Sequence, residues 1–198
     1  MIVFGITGPS GSGKSALTRV FADHGALVLD ADAIYHRLLA ESTELRTALT
    51  DAYSTDILTD GKIDRKKLGK IVFSSPALLE KLNGVTHPFV INEIKRLLAE
   101  STAPSAVIDA PLLFESGLDA LCHTTISVLA PREVRIHRIV ARDGITPEAA
   151  ITRIDAQKPD EYYLARSQTF LYNRGTLSEF ETEARALYAR LIHTGSNL

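Results

Sequence analysis

The stretch Gly8-Pro9-Ser10-Gly11-Ser12-Gly13-Lys14-Ser15 constrains this chain more than any other. Glycines at this spacing let the backbone wrap so that successive N–H groups point inward, and a helix beginning there adds the positive end of its dipole. The pattern defines a phosphate cradle of the P-loop type when a buried strand enters it and a helix leaves it. Both conditions are met. Ile2-Val3-Phe4-Gly5-Ile6 is a continuous apolar run, as expected of a buried parallel strand. From Ser15 to His24, the residues Ala16, Leu17, Val20 and Phe21 share one helical face, and Gly25 stops the helix. In that setting the backbone of Gly8, Gly11, Ser12, Gly13 and Ala16 is expected to hold the phosphates of a nucleoside triphosphate. Lys14 would reach the β and γ phosphates, and Ser15 would hold Mg²⁺.

Ala26-Leu27-Val28-Leu29 reads as a second buried strand ending at Asp30-Ala31-Asp32, which completes a βαβ unit and predicts a parallel-sheet α/β fold. Residues 33–100 differ. Leu78, Leu79 and Leu82, then Phe89, Val90, Ile94, Leu97 and Leu98, recur with helical spacing, and breaks are expected at Asp60-Gly61, Ser74-Ser75-Pro76 and His87-Pro88. A helical stretch of this length inside an α/β chain reads as an insertion that carries acceptor specificity. Strands return at Ala106–Asp109 and Thr125–Leu129, with a weak terminal strand at Thr169–Tyr172. Arg132 to Arg142 reads as a basic helix, Thr146-Pro147 opens another, and Ser178 to Ile192 forms an amphipathic closing helix.

Several side chains admit both a chemical and a structural reading. Asp30 and Asp32, at the end of the second strand and facing the same way if the chain is extended, suit a proton acceptor or a pair of helix caps. Asp109 ends an apolar strand, where a carboxylate can sit near Mg²⁺ or cap a turn. Arg135, Arg138 and Arg142 share a helix face and can clamp phosphates or form a solvated basic surface. His87-Pro88 is a catalytic candidate or plain punctuation.

The bulk composition narrows the classes. With 198 residues, 45% apolar and 23% charged, the chain suits one domain with insertions. A net charge of −2 without basic runs argues against nucleic acid, and the single cysteine, Cys122, precludes an internal disulfide and reads as a packing residue. No stretch approaches the roughly 18 apolar residues of a membrane span, so a cytoplasmic protein is expected. A GTPase switch would need an Asn-Lys-x-Asp element, and the chain has none.

Taken in order, these elements resemble the dephospho-coenzyme A kinase family over nearly the whole length. The resemblance rests on Ile6-Thr7-Gly8 with the P-loop, Leu29-Asp30-Ala31-Asp32, Gly61-Lys62-Ile63-Asp64-Arg65, Val72-Phe73-Ser74 and His87-Pro88. It continues through Asp109-Ala110-Pro111-Leu112-Leu113-Phe114-Glu115, Arg138-x3-Arg142-Asp143-Gly144 and Arg153-Ile154-x2-Gln157. It implies ATP-dependent phosphorylation of the ribose 3′-hydroxyl of dephospho-coenzyme A. Asp32 would be the base, and His87, Phe114 and Glu115 would lie near the acceptor. Arg138 and Arg142 would meet ATP, the latter from a mobile lid over residues 138–157, and Asn173 would sit by the adenine. The chain departs from the family pattern at Pro9-Ser10, where Gly-Ile is usual, at Ser15-Ala16, where Ser-Thr is common, and at Leu171-Tyr172-Asn173, where Ile-Asp-Asn is usual. Another small-molecule or nucleotide kinase of the same fold is the alternative; oligomeric state is left open.

Lys14 is the point charge of the cradle. Lys14→Ala is expected to lower phosphoryl transfer by at least about 10²-fold, the scale of losing one electrostatic stabiliser of the transition state. A coupled assay of ADP release measures it, and parental turnover in the variant would remove the P-loop assignment.

Overall fold

In chain order the elements are β1 (Ile2–Thr7), α1 (Lys14–Asp23), β2 (Leu27–Asp30), α2 (Ala31–Glu41), α3 (Thr43–Tyr53), β3 (Leu58–Thr59), β4 (Lys62–Ile63), α4 (Arg65–Val72) and α5 (Pro76–Glu100). They continue as β5 (Ser105–Asp109), β6 (Thr124–Leu129), α6 (Arg132–Asp143), α7 (Pro147–Asp155), α8 (Asp160–Leu164), β7 (Thr169–Tyr172) and α9 (Leu177–Gly195). The structure is a computed structural model and describes residues 1–195. It divides into two compact units, Met1–Leu29 with the chain from Thr102 onward, and Asp30–Ser101.

The first unit is built on a sheet of order β2-β5-β1-β6-β7. β1 is central because it is apolar on both faces: from Val3 to Thr7 every residue is buried. It pairs in parallel with β5 on one side and β6 on the other, and β6 pairs in parallel with β7. The α/β expectation is therefore met. β2, expected to be buried throughout, lies at the sheet edge, and Val28 is 37% exposed. The main core joins Phe4 and Ile6 of β1, Leu17, Val20 and Phe21 of α1, and Phe180, Ala184 and Leu187 of α9. Phe21 meets Phe4 and Tyr188 edge-on at 5.1 and 5.0 Å between ring centres. α6 and α7 share a smaller core of Ile136, Ile139, Ala150 and Ile154. Cys122 packs as expected, its thiol near the Leu118 carbonyl and pushed up to about 12 by burial.

The second unit has its own core of Leu39, Leu45, Leu49, Tyr53, Ile57, Leu68, Val72 and Leu82. The expected break at Asp60-Gly61 is the turn of a β3–β4 hairpin, both residues having positive φ (50° and 73°), a small strand pair that helical periodicity does not announce. Ser75 and Pro76 begin α5 as expected. The break expected at His87-Pro88 is absent: α5 runs through Pro88 for 25 residues. Pro88 offers no N–H to the carbonyl of Gly84, a penalty of about 3 kcal/mol in a helix interior. The buried stripe Leu82, Thr86, Val90 and Ile94 spans that point and holds both halves in one helix.

α9 opens one residue before Ser178. Its cap is Thr176, whose hydroxyl accepts from the N–H of Glu179 while the Glu179 carboxylate accepts from the N–H of Thr176 at 2.8 Å, a reciprocal capping box. Because Phe180, Ala184 and Leu187 follow within the main core, the cap fixes how α9 enters it. Thr176→Ala is expected to lower stability by about 1 kcal/mol in urea unfolding followed by circular dichroism. A midpoint equal to the parent's would mean that packing alone sets the start of α9.

Candidate active site

The site grows from the pairing of two strands. The register sets Ile6 opposite Asp109, and the N–H of Ala110 donates to the carbonyl of Ile6 at 3.1 Å, so β5 ends beside the point where β1 enters the glycine loop. All three loop glycines are required outright, Gly11 because a Cβ at its φ of 79° would lie 2.8 Å from the carbonyl oxygen of Arg135. A Cβ on Gly8, at φ 143°, would lie 2.2 Å from the carbonyl oxygen of Val128, and one on Gly13, at φ 102°, would lie 2.2 Å from the Asn173 amide nitrogen. Gly13 then serves as the N-cap of α1, leaving the first N–H groups of that helix without helical acceptors. Ala16 spends its N–H on the Gly13 carbonyl at 2.9 Å. The Ser12 hydroxyl is fully buried, with no hydrogen-bond partner among the described residues. Ser15 is exposed in the first turn of α1.

The carbonyls of the loop turn outward, and α6 receives them. Arg138 donates to the carbonyls of Gly11 (3.3 Å) and Ser12 (3.2 Å) and to the Asn173 side-chain oxygen (3.0 Å). Asn173, only 3% exposed, donates its amide to the Ser12 carbonyl at 2.9 Å. Arg135, 6% exposed, donates to the Ser10 carbonyl at 3.1 Å and to the side chain of Gln157 at 2.9 Å. Burial pulls both guanidinium groups below their ordinary range. Arg142 is exposed, donates to the Ser10 hydroxyl at 3.3 Å and pairs with Asp143, which Arg153 also holds. The hydrogen bond from Arg142 draws the Asp143 carboxyl down to about 2. Thus Arg135 and Arg138 back the loop from outside, whereas Arg142 stands beside it in the open.

Lys14 forms an ion pair with Asp109, and the Thr18 hydroxyl donates to the other Asp109 oxygen at 2.9 Å. Lys14 and Asp109, read separately in the sequence, are brought together here, and Thr18, one turn along α1, is a partner that no motif announces. The donor chemistry suits Mg²⁺. The Ser15 hydroxyl and the Asp109 carboxylate are hard oxygens, and a carboxylate with two hydrogen bonds keeps lone pairs to spare. No cluster of three or more His, Cys, Asp or Glu able to hold a metal occurs among the described residues. Mg²⁺ needs none, since it binds through one or two carboxylates plus phosphate oxygens and water.

On the loop after β5, Phe114 meets the ring of Tyr162 edge-on at 6.3 Å, and burial first, then the Glu115 charge, push the Tyr162 hydroxyl up from its ordinary range. The Arg166 guanidinium lies 4.0 Å from the centre of the Tyr162 ring. Tyr163 is pushed up to about 12, by burial first and then by the Glu115 charge. These tyrosines of α8 belong with Phe114 and Glu115, and only the density of aromatic and charged residues at 158–166 could have pointed to them.

Asp32 and His87 belong to the second unit. The extended arrangement expected of Asp30-Ala31-Asp32 is not found. Asp30 caps α2, accepting from the N–H of Ala33 at 2.9 Å, and Asp32 is already helical, exposed in the first turn. The pair thus splits: Asp30 is the cap, and Asp32 is not. His87 is half-buried on α5.

A parallel sheet whose central strand feeds a glycine loop, a lysine ion-paired to the carboxylate ending the next strand, and arginines backing the loop define a P-loop kinase fold and nucleotide site. The dephospho-CoA kinase family model matches residues 2–179. A dephospho-CoA kinase of Streptomyces avermitilis is 37% identical over 195 residues, covering 98% of this chain and 95% of that protein. A crystal structure from Thermus thermophilus superposes with a TM-score of 0.79 at 37% identity, covering 97% of both chains. The dephospho-CoA kinase of Campylobacter jejuni gives 0.69 at 29% identity, covering 99% of this chain and 98% of that one. The chain belongs to the dephospho-CoA kinase family.

Asn173 braces the loop from behind. Asn173→Ala strips partners from the Ser12 carbonyl and from Arg138, and is expected to cost about 1–3 kcal/mol of stability. Differential scanning calorimetry measures it, and saturating ATP should recover part of the loss. An unchanged melting temperature would show that water replaces the amide.

Proposed function

We propose that the protein transfers the γ-phosphoryl group of ATP to the ribose 3′-hydroxyl of dephospho-coenzyme A, giving coenzyme A and ADP. The observation that carries this reading is the ion pair of Lys14 with Asp109 beside a preformed glycine cradle, in a chain of this family. The loop N–H groups and Lys14 hold the β and γ phosphates. Phosphates compete with Asp109 for the lysine, so nucleotide binding exchanges an internal ion pair for one with the substrate. Ser15 and Asp109 would hold Mg²⁺, whose contribution when bound is to neutralise charge between the β and γ phosphates. Arg142, the exposed member of the α6 series, turns to the phosphates as residues 138–157 close. Arg138 and Gln157, at the two ends of that segment, already hold the loop, so the part that closes is the stretch between them that carries Arg142.

Asp32 takes the proton of the acceptor hydroxyl, and His87, Phe114 and Glu115 contact the acceptor. No helix among the described residues is long and apolar enough to cross a membrane, which suits a small-molecule enzyme of the cytoplasm.

Because Asp30 is the cap of α2, Asp32 can be changed without uncapping the helix. Asp32→Asn is expected to leave the melting temperature and ATP affinity near parental while lowering kcat by roughly 10²- to 10⁴-fold. Turnover within about threefold of the parent would remove Asp32 as the base.

A further inference from the structure

We propose that Gln157 is a positioning residue of the nucleotide site, fixing the peptide planes on either side of Ser10 before nucleoside triphosphate arrives. The Ser10 N–H donates to Gln157 Oε1 at 3.1 Å, and the Ser10 carbonyl accepts from Arg135 Nε at 3.1 Å. Arg135 closes the ring by donating through its terminal nitrogen to the same Gln157 oxygen at 2.9 Å. Asp160 stands 3.7 Å from the remaining guanidinium nitrogen. Both polar backbone groups of one loop residue are therefore taken up outside the cradle, by two side chains that also grip each other.

The position matters because of what flanks it. Gly8 and Gly11, at φ 143° and 79°, are the residues about which peptide planes turn most cheaply. If the Ser10–Gly11 plane turned over, a carbonyl would face the phosphates and the N–H of Gly11 would face away, exchanging a donor for an acceptor opposite an anion. Arg135 resists that by holding the Ser10 carbonyl, and Gln157 holds the preceding plane while aiming Arg135. The side-chain oxygen suits this position because it alone accepts from both donors, the Ser10 N–H and Arg135. Gln157 follows α7 directly, so the link also ties the end of the α6–α7 pair to the loop.

The inference rests on the nucleotide reading of this loop and not on the identity of the acceptor. The test compares Gln157→Met, which keeps volume but loses the acceptor oxygen, with Gln157→Glu, which keeps an oxygen facing Arg135. Calorimetric titration with ATP is expected to show about tenfold weaker binding in the Met variant, the scale of one buried hydrogen bond, and recovery to within about threefold in the Glu variant. The KM for dephospho-coenzyme A at saturating ATP should stay within about twofold of the parent. Should the Met variant not fold, Gln157→Leu, of similar volume and likewise without an acceptor, carries the same comparison. ATP binding within twofold of the parent, no recovery with Glu, or an equal loss toward both substrates would overturn the proposal. If the parent itself fails to phosphorylate dephospho-coenzyme A, the acceptor reading falls while the ATP titration still decides on Gln157.

Discussion

A loop that turns its N–H groups toward an anion must turn its carbonyls away from it, and those carbonyls need donors of their own. Here they find them in side chains: Arg135 at Ser10, Arg138 at Gly11 and Ser12, and Asn173 at Ser12. Much of the first unit follows from that requirement. α6 has to lie alongside the loop with its arginines at three- and four-residue spacing, β7 has to end where Asn173 can reach Ser12, and Gly13 has to lack a side chain because Asn173 occupies the space. The sheet supplies the frame by pairing β7 to β6 and β6 to β1, so that the elements on both sides of the loop are carried by adjacent strands.

On the other side of β1 the requirement is different. Asp109 comes from β5, whose register with β1 is fixed by fully buried side chains on both strands. A carboxylate placed by a buried strand cannot wander, and Lys14 and Thr18 converge on it from one face of α1. The Lys14 side of the loop is thus anchored to the fully buried centre of the sheet. Arg142, on the exposed part of α6, is held by Asp143 and by the Ser10 hydroxyl.

The cradle was legible in the amino-acid order because its spacing is local: strand, loop and helix occupy one continuous stretch. Asp109 was legible because a polar residue closing an apolar run marks a strand end. Asp32 kept two readings in sequence because a cap and a base use the same residue type, and the structure settles only the cap, which is Asp30. The long helix through Pro88 was not legible. Its continuity depends on the buried stripe Leu82 to Ile94, a tertiary property that outweighs the local preference of proline to end a helix. Tyr162 and Tyr163 were equally hidden, and Gln157 was visible only as the end of a motif and not in its role, since their meaning lies in partners about 40 to 150 residues away. The β3–β4 hairpin is too short to impose an alternating pattern, and its turn alone was visible.

One consequence concerns the approach of ligand rather than its hold. Arg138 is satisfied by carbonyl oxygens and by an amide, which accept its hydrogen bonds without cancelling its charge. Together with the positive end of α1, and although Asp109 already meets the charge of Lys14, that leaves a standing positive potential around the loop. A polyanion is then drawn in from a distance comparable with the screening length of the solution, about 8–10 Å at ordinary salt. The association rate of the nucleotide therefore carries an ionic-strength dependence that the internal architecture of the loop, rather than any exposed basic patch, sets.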